Sequence, residues 1–195
     1  MLERLERETQ AHHADAEADW LAILDDPSHE QYVRFLELLY GFEAPLEAAF
    51  ALTRGLPMWI DVRARARSGL LAADLLALGH TAARLARLPL CCAIAPFDTI
   101  HEALGWIYVL DRSSLNLPYL HARLRERLPS QISNAGRYLA SADAQSGHWA
   151  ELGAVLDRIA VSPHASDRIV TAAHAAFERQ HEWLGDLMER QSKAG

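Results

Sequence analysis

Apolar side chains recur every three to four residues along almost the whole chain, and no stretch alternates residue by residue as a half-buried strand does. The pattern predicts an all-α fold. Leu2, Leu5, Thr9, His13, Ala16, Trp20 and Leu24 project onto one side of a first helix, which Asp25-Asp26-Pro27 ends. Ser28 caps a second helix carrying Tyr32, Phe35, Leu36, Leu39 and Tyr40. Gly41 and Pro45 predict a bend or break before Leu46 to Arg54, and Gly55-Leu-Pro57 closes that stretch. Residues 58–68 mix Trp59 and Ile60 with an arginine run and fit no element cleanly. Ser68 to Leu78 reads as a helix closed by Gly79, Thr81 to Arg87 as a short one, and Pro89 to Pro96 as a connector.

Thr99 and Glu102 have capping-box spacing and open a long apolar helix, Ile100 to Leu115. Asn116 and Pro118 kink it before it resumes from Tyr119 to Leu128. Residues 129–147, richer in Ser, Gly and Ala, are expected to include the longest loop. Helices over His148 to Ala160 and from Ser162-Pro163 to about Arg190 complete a bundle of seven or eight helices. With no repeat or linker, residues 1–195 read as one domain.

Half of the 195 residues are hydrophobic, enough for one substantial core. The formal net charge of −7 repels polyanions, which argues against nucleic acid. Lys193 is the only lysine, and the arginines are dispersed, so no polybasic membrane anchor is present. The N-terminus is charged from Glu3 onward and offers no apolar signal core. Leu88 to Phe97 is interrupted by two prolines and too short to span a bilayer, so a soluble, cytoplasmic protein is expected. The adjacent Cys91 and Cys92 read as reduced, packed thiols.

Among ten histidines, His29, His80, His121, His148 and His164 fall near helix ends or polar faces, where solvation or capping accounts for them. Glu178-x-x-His181 has the spacing of a carboxylate-bridged di-iron bundle, but such a site needs two copies and only one is present. His174 and His181 read instead as the polar edge of the last helix. His13 differs, because it lies centrally in the buried stripe of the first helix while His12 points about 100° away. A buried imidazole needs a partner at each ring nitrogen: a hydrogen bond, a carboxylate such as Glu17 one turn on, or a metal. No phosphate loop, nucleophile elbow or nucleotide fingerprint is present.

Leu5-x3-Thr9-x3-His13-x3-Glu17 resembles the first helix of the haem oxygenases, in which the histidine is the proximal ligand of haem iron. The resemblance continues through Tyr40-Gly-Phe-Glu-Ala-Pro-Leu-Glu47, Arg67 to Gly79, Leu104-Gly-Trp-Ile-Tyr-Val-Leu110 and Ala175 to Leu184. It is strongest to the bacterial, biliverdin-forming branch that supplies bacteriophytochromes. It implies a multi-helical bundle gripping haem, at once cofactor and substrate, between the first helix and the helix from Thr99 onward. The implied reaction is O2-dependent cleavage of haem to biliverdin, CO and ferrous iron. Electrons would come from a donor such as a ferredoxin or flavoprotein reductase. His13 becomes the metal ligand; Glu17, Tyr108, Arg112 and Leu117 contact the cofactor; Ser113 and Asn116 stand at the catalytic positions.

The run after Tyr-Val-Leu departs from the family. Where the bacterial branch has an acidic residue and Gly-Ser-Thr-Leu-Gly-Gly, this chain has Asp111-Arg-Ser-Ser-Leu-Asn-Leu117. All three glycines that let backbone lie against porphyrin are replaced, so Arg112, Asn116 and Leu117 are each expected to place a side chain in that space. An empty site would be expected to turn Arg112 toward a carboxylate such as Glu17. The cations usual for haem propionates are also missing: Glu6 and Gly153 stand at two of their places, with Arg4, Arg7, Arg112 and Arg158 as substitutes. The alternative is a non-catalytic relative that binds another tetrapyrrole or apolar ligand, or acts through its surface. Another enzyme on the same fold, such as a thiamin-degrading one, has no supporting constellation.

Overall fold

The computed structural model describes residues 1–141 and 147–192, with the side chains of residues 186–192 left aside. Every regular element among the described residues is helical, in keeping with the periodicity. The elements are α1 (Leu2–Glu8), α2 (Gln10–Leu21), α3 (His29–Leu52), α4 (Ser68–Ala77), α5 (Ala82–Leu85), α6 (Ile100–Ser113), α7 (Leu117–Arg127), α8 (Pro129–Ala135), α9 (Arg137–Ala140), α10 (His148–Ile159) and α11 (Pro163–Ser192).

The core is two clusters joined by the long helices α3 and α11. One gathers Leu5, Phe42, Leu46, Ile107, Tyr108, Leu156 and Phe177; the other gathers Trp20, Tyr32, Leu36, Leu75, Leu120, Leu124 and Tyr138. Helices α6 and α11 form the most extensive pairing. At Gly105 they approach so closely that a Cβ would lie 2.5 Å from the Ile169 carbonyl oxygen and 2.8 Å from Ala172 Cβ.

Helix α3 runs unbroken through Gly41 and Pro45, contrary to the predicted break. Pro45 has no N–H for the Gly41 carbonyl, and the connector supplies one instead: Cys91 N–H donates to Gly41 O at 2.9 Å. A side chain at Gly41 would meet Pro89 O and Trp183, so this glycine seats the connector.

The chain is more finely divided than expected in two places. The first helix is interrupted at Thr9, and within the stretch expected to include the longest loop, residues 129–140 form α8 and α9. The latter start at Pro129 and at Arg137, where Asp74 accepts from the backbone N–H groups of Arg137 and Tyr138. Such a long-range cap leaves no local sequence signal. Residues 142–146 of the expected loop lie outside the described set.

Other predicted ends hold. Ser28 Oγ and Thr99 Oγ1 accept from the amides of Gln31 and Glu102. Gly79, at φ +97°, ends α4. His80 is not solvated: it is buried, with Nε2 2.7 Å from Glu37. Of the two thiols, Cys91 is buried and Cys92 exposed.

Candidate functional site

The site is organised by the interruption at Thr9. The Thr9 hydroxyl donates back to Leu5 O at 2.8 Å, a bond that competes with regular helix and bends it. The same oxygen lies 3.0 Å from His13 Nε2 and 3.3 Å from the Tyr108 hydroxyl of α6. Its one proton is committed to Leu5, so Thr9 Oγ1 accepts from both other groups. His13 therefore carries its proton on Nε2. Burial, the nearby Arg112 charge and His12 hold its pKa below the ordinary histidine value, leaving a neutral imidazole at pH 7.

His12 is turned elsewhere: its Nε2 is 2.9 Å from Nδ1 of His174 in α11, and its ring stacks on Phe177. His181, two turns further along the same side of α11, pairs with Asp19 at 2.8 Å.

Facing His13 is the bent end of α6. The break predicted at Asn116 and Pro118 is present as a turn of 3₁₀-helix, Ser114–Asn116. Leu117 N–H takes the Ser114 carbonyl that Pro118 is unable to use. Two serines pin the bend. Ser113 Oγ donates to Gln180 Oε1 at 3.2 Å, and Ser114 Oγ accepts from Arg67 Nη1 at 2.6 Å while donating to Leu110 O. Arg67 is buried and paired with buried Glu43 at 2.9 Å, and Tyr138 donates to the same carboxylate. Next to it, buried Arg65 bridges Asp111 and Glu151. Burial pushes the Asp111 carboxyl up to about 6 despite the flanking Arg65 and Arg67.

His13, Glu17, Arg112, Ser113 and Asn116 are brought together around a cavity of about 160 Å³, closed further by Ala16, Trp20, Leu115 and Phe177. Tyr108 lies behind this wall, buried against Thr9. Leu117 departs from expectation: it is wholly buried in the core cluster of Leu120 and Leu124, and Leu115 lines the cavity instead. The shortened turn rotates the two leucines relative to a continuous helix.

Arg112 is half-buried on the cavity wall. Contrary to expectation, it makes no ion pair or hydrogen bond with Glu17 or any other described residue. His13 is likewise bonded to Thr9 and not to Glu17, which is exposed.

The other substitute cations are committed elsewhere. Arg4 pairs with Glu8 and Asp167, Arg7 with Glu8, and Arg158 lies over the Trp59 ring at 5.0 Å. Gly153 lets α10 close on the N-terminal helix, since a Cβ there would sit 2.8 Å from Leu2 Cδ1. A larger cleft of about 620 Å³ opens on the other flank of α6, by Phe97, Trp106 and the Glu102–Arg168 pair, and holds none of the candidate residues.

Thr9, Trp20 and Gln180 complete the site beyond the residues singled out from sequence. Thr9 and Trp20 were visible on the apolar stripe of the first helix. Gln180 follows Phe177 by three residues on the buried face of α11, so a polar side chain at an apolar position was its signal.

Comparison with known proteins agrees with this architecture. Residues 1–186 match the family model described as Heme oxygenase. The chain is 30% identical over 168 residues to heme oxygenase PigA of Pseudomonas aeruginosa, covering 84% of this chain and 78% of that protein. The NO- and CO-bound heme oxygenase structure from Neisseria meningitidis superposes with a TM-score of 0.74 at 23% identity, over 95% of this chain and 90% of the other. The fold is thus that of the haem-degrading enzymes. This chain belongs to the haem oxygenase family.

Proposed function

We propose that the protein binds haem between α2 and the bent end of α6, where His13 would hold its iron, and opens the macrocycle oxidatively to biliverdin. One observation carries this reading: a neutral, half-buried imidazole facing the 112–116 bend across a shared cavity. A neutral ring nitrogen is what iron requires of a histidine. The relatives, both called heme oxygenases, support the reaction class.

The donor fits haem; the width does not fit it as the helices stand. About 160 Å³ is well below the roughly 300 to 1,000 Å³ of ordinary ligand sites, so α2 and residues 112–116 must separate for haem to enter. Haem, when bound, supplies the O2 chemistry and is itself consumed, releasing carbon monoxide and ferrous iron.

The chain's own groups orient and exclude. His13 fixes the ring from the α2 side. The bend presents Ser113, held by Gln180, and Asn116 as the polar groups able to relay protons. Arg112 and Leu115 narrow the opening, and Tyr108 with Thr9 backs the ligand. Glu17 stands at the mouth as a carboxylate one turn from His13. Leu117 acts at a distance, by packing the bend from beneath. Electrons come from an external donor of the ferredoxin or flavoprotein-reductase class, in the cytoplasm, and a bacteriophytochrome is a fitting recipient of the bilin.

The narrow cavity favours a second reading, a family member whose pocket has closed and which binds another ligand or acts through its surface. A haem titration followed by absorption separates the two. The first reading expects a saturable Soret shift that survives His12→Ala and disappears in His13→Ala, followed by bilin formation with a reductant. Wild type without a Soret shift establishes the second. A shift lost in His12→Ala but kept in His13→Ala refutes the assignment of His13.

A further inference from the structure

The cavity that is too narrow for a porphyrin is lined by three donor groups with no partner among the described residues, one of them, the Trp20 indole N–H, fully buried. Arg112 contributes a half-buried guanidinium with no hydrogen bond or ion pair among the described residues. Trp20, only 1% exposed, lines the same cavity, and its indole N–H is buried without an acceptor. The Asn116 amide also makes no hydrogen bond within the described chain.

A buried donor without a partner costs the full loss of its hydration. An unpaired guanidinium is a fork built for two parallel bonds to a planar oxyanion. Three donor groups on the wall of one cavity, none of them taken by a described acceptor, therefore specify what should enter it.

We propose that the cavity between α2 and the α6 bend binds a small free monocarboxylate, such as acetate or formate. Arg112 is its counter-charge, and the Trp20 indole N–H and the Asn116 amide are its neutral donors. The size agrees. With a water taking about 30 Å³, the cavity of about 160 Å³ has room for about five waters, enough for an anion of about four heavy atoms and a water beside it.

The field agrees as well. Arg112 already acts on the cavity, where its positive charge helps hold His13 neutral, so the net charge offered to an anion is that of the arginine opposed by exposed Glu17 at the mouth. Leu115, Ala16 and Phe177 supply apolar walls for the methyl group. The site does not depend on haem binding. Occupancy would hold the cavity in its closed form, and the carboxylate and haem would exclude one another.

The test is an acetate titration of the full chain, free of haem, followed through the indole N–H signals in ¹H–¹⁵N spectra, with sodium chloride at matched ionic strength as control. Trp20→Phe identifies the Trp20 signal. That signal should move saturably with acetate, with a Kd on the order of 1 mM for so small a ligand. Arg112→Met should weaken binding at least about tenfold. Arg112→Lys should restore part of it, and Glu17→Gln should tighten it by removing the opposing charge. Arg112 bonds to nothing among the described residues, so its variants test binding and not folding. No saturable shift in wild type, an equal shift with chloride, or binding unchanged in Arg112→Met overturns the proposal. Because the readout involves no haem, its failure is separate from failure of the haem reading.

Discussion

The Thr9 hydroxyl oxygen lies 3.0 Å from Nε2 of His13, and Thr9 has already given its proton to Leu5. The nitrogen that would face a metal is therefore occupied as a donor. Binding iron through Nε2 requires that contact to break and the proton to move to Nδ1. Thr9→Val keeps the shape and removes the acceptor. Its removal should raise haem affinity about five- to tenfold, the worth of one net hydrogen bond of about 1 kcal/mol. Soret titrations of the two proteins measure this directly; equal affinities would mean that Nδ1 is the ligating atom or that the contact costs nothing to break.

The bend gives a second prediction, because its three non-glycine residues play different parts. Arg112 and Asn116 line the cavity and Leu117 does not. Arg112→Gly with Asn116→Gly should widen the opening and tighten haem binding, at about 0.5 to 1 kcal/mol of stability per glycine placed in helix. Leu117→Gly should instead remove a core side chain, costing about 2 to 5 kcal/mol with no gain in haem affinity. Paired melting curves and haem titrations distinguish these outcomes. A haem affinity that rises only with Leu117→Gly would place the obstruction in the core.

The fold is legible in the sequence where its signals are local. The stripe through Leu5, Thr9, His13 and Trp20 placed the buried face of the first helix, and capping chemistry at Ser28 and Thr99 located two helix starts, because both are local properties of the chain. What escaped depends on distant partners. Pro45 was expected to break α3, but Cys91, far along the chain, supplies the missing donor to Gly41. The start of α9 depends on Asp74. Leu117 could not be told from Leu115 as the cavity residue without knowing that the bend is 3₁₀ and not α. Periodicity carries the fold, whereas the width of a cavity is a sum of long-range contacts.

The support beneath the bend yields a third prediction. Arg67 and Glu43 are both 2% exposed and face one another, with Tyr138 on the carboxylate and Ser114 on the guanidinium. Removing one partner leaves a buried charge uncompensated. Glu43→Ala should lose about 3 to 5 kcal/mol in urea unfolding. Glu43→Gln, still able to bond Tyr138 and Arg67, should lose less. A surface-like loss below about 1 kcal/mol for Glu43→Ala would show that the network tolerates water.

Gly105 sets the distance between α6 and α11. An added methyl group would meet backbone atoms of α11, Ile169 O at 2.5 Å and Ala173 N at 2.8 Å, which have no rotamer to change. Gly105→Ala should therefore destabilise by about 1 to 3 kcal/mol through overpacking, although alanine is the better helix former. Gly153→Ala meets only the end of the Leu2 side chain and should cost less. Chemical denaturation of both variants checks the order; a stabilised Gly105→Ala would mean that the helices slide apart freely.

Asp111 gives the stability of the fold a pH dependence that can be isolated. Burial raises its carboxyl from 3.8 to about 6, with Arg65 and Arg67 offsetting only part of the effect. The folded chain then holds this proton more tightly than the unfolded chain does. The group's stabilising contribution is complete below pH 4, falls as pH rises through the window to about 6, and is absent above it. The fall amounts to about 3 kcal/mol, at 1.36 kcal/mol for each pKa unit. Asp111→Asn has the shape of the protonated acid and does not titrate, so the difference in unfolding free energy between wild type and this variant should change by about 2 kcal/mol of that total between pH 4 and pH 6.5, in the direction that leaves wild type relatively weaker at the higher pH. Taking the difference cancels the carboxylates remote from Arg65; Glu151, which shares that arginine with Asp111, is removed from the comparison by making both proteins in a Glu151→Gln background. If wild type instead gained on the variant as pH rose, the ion pair with Arg65 would outweigh burial, and Asp111 would be held below its ordinary carboxylate value.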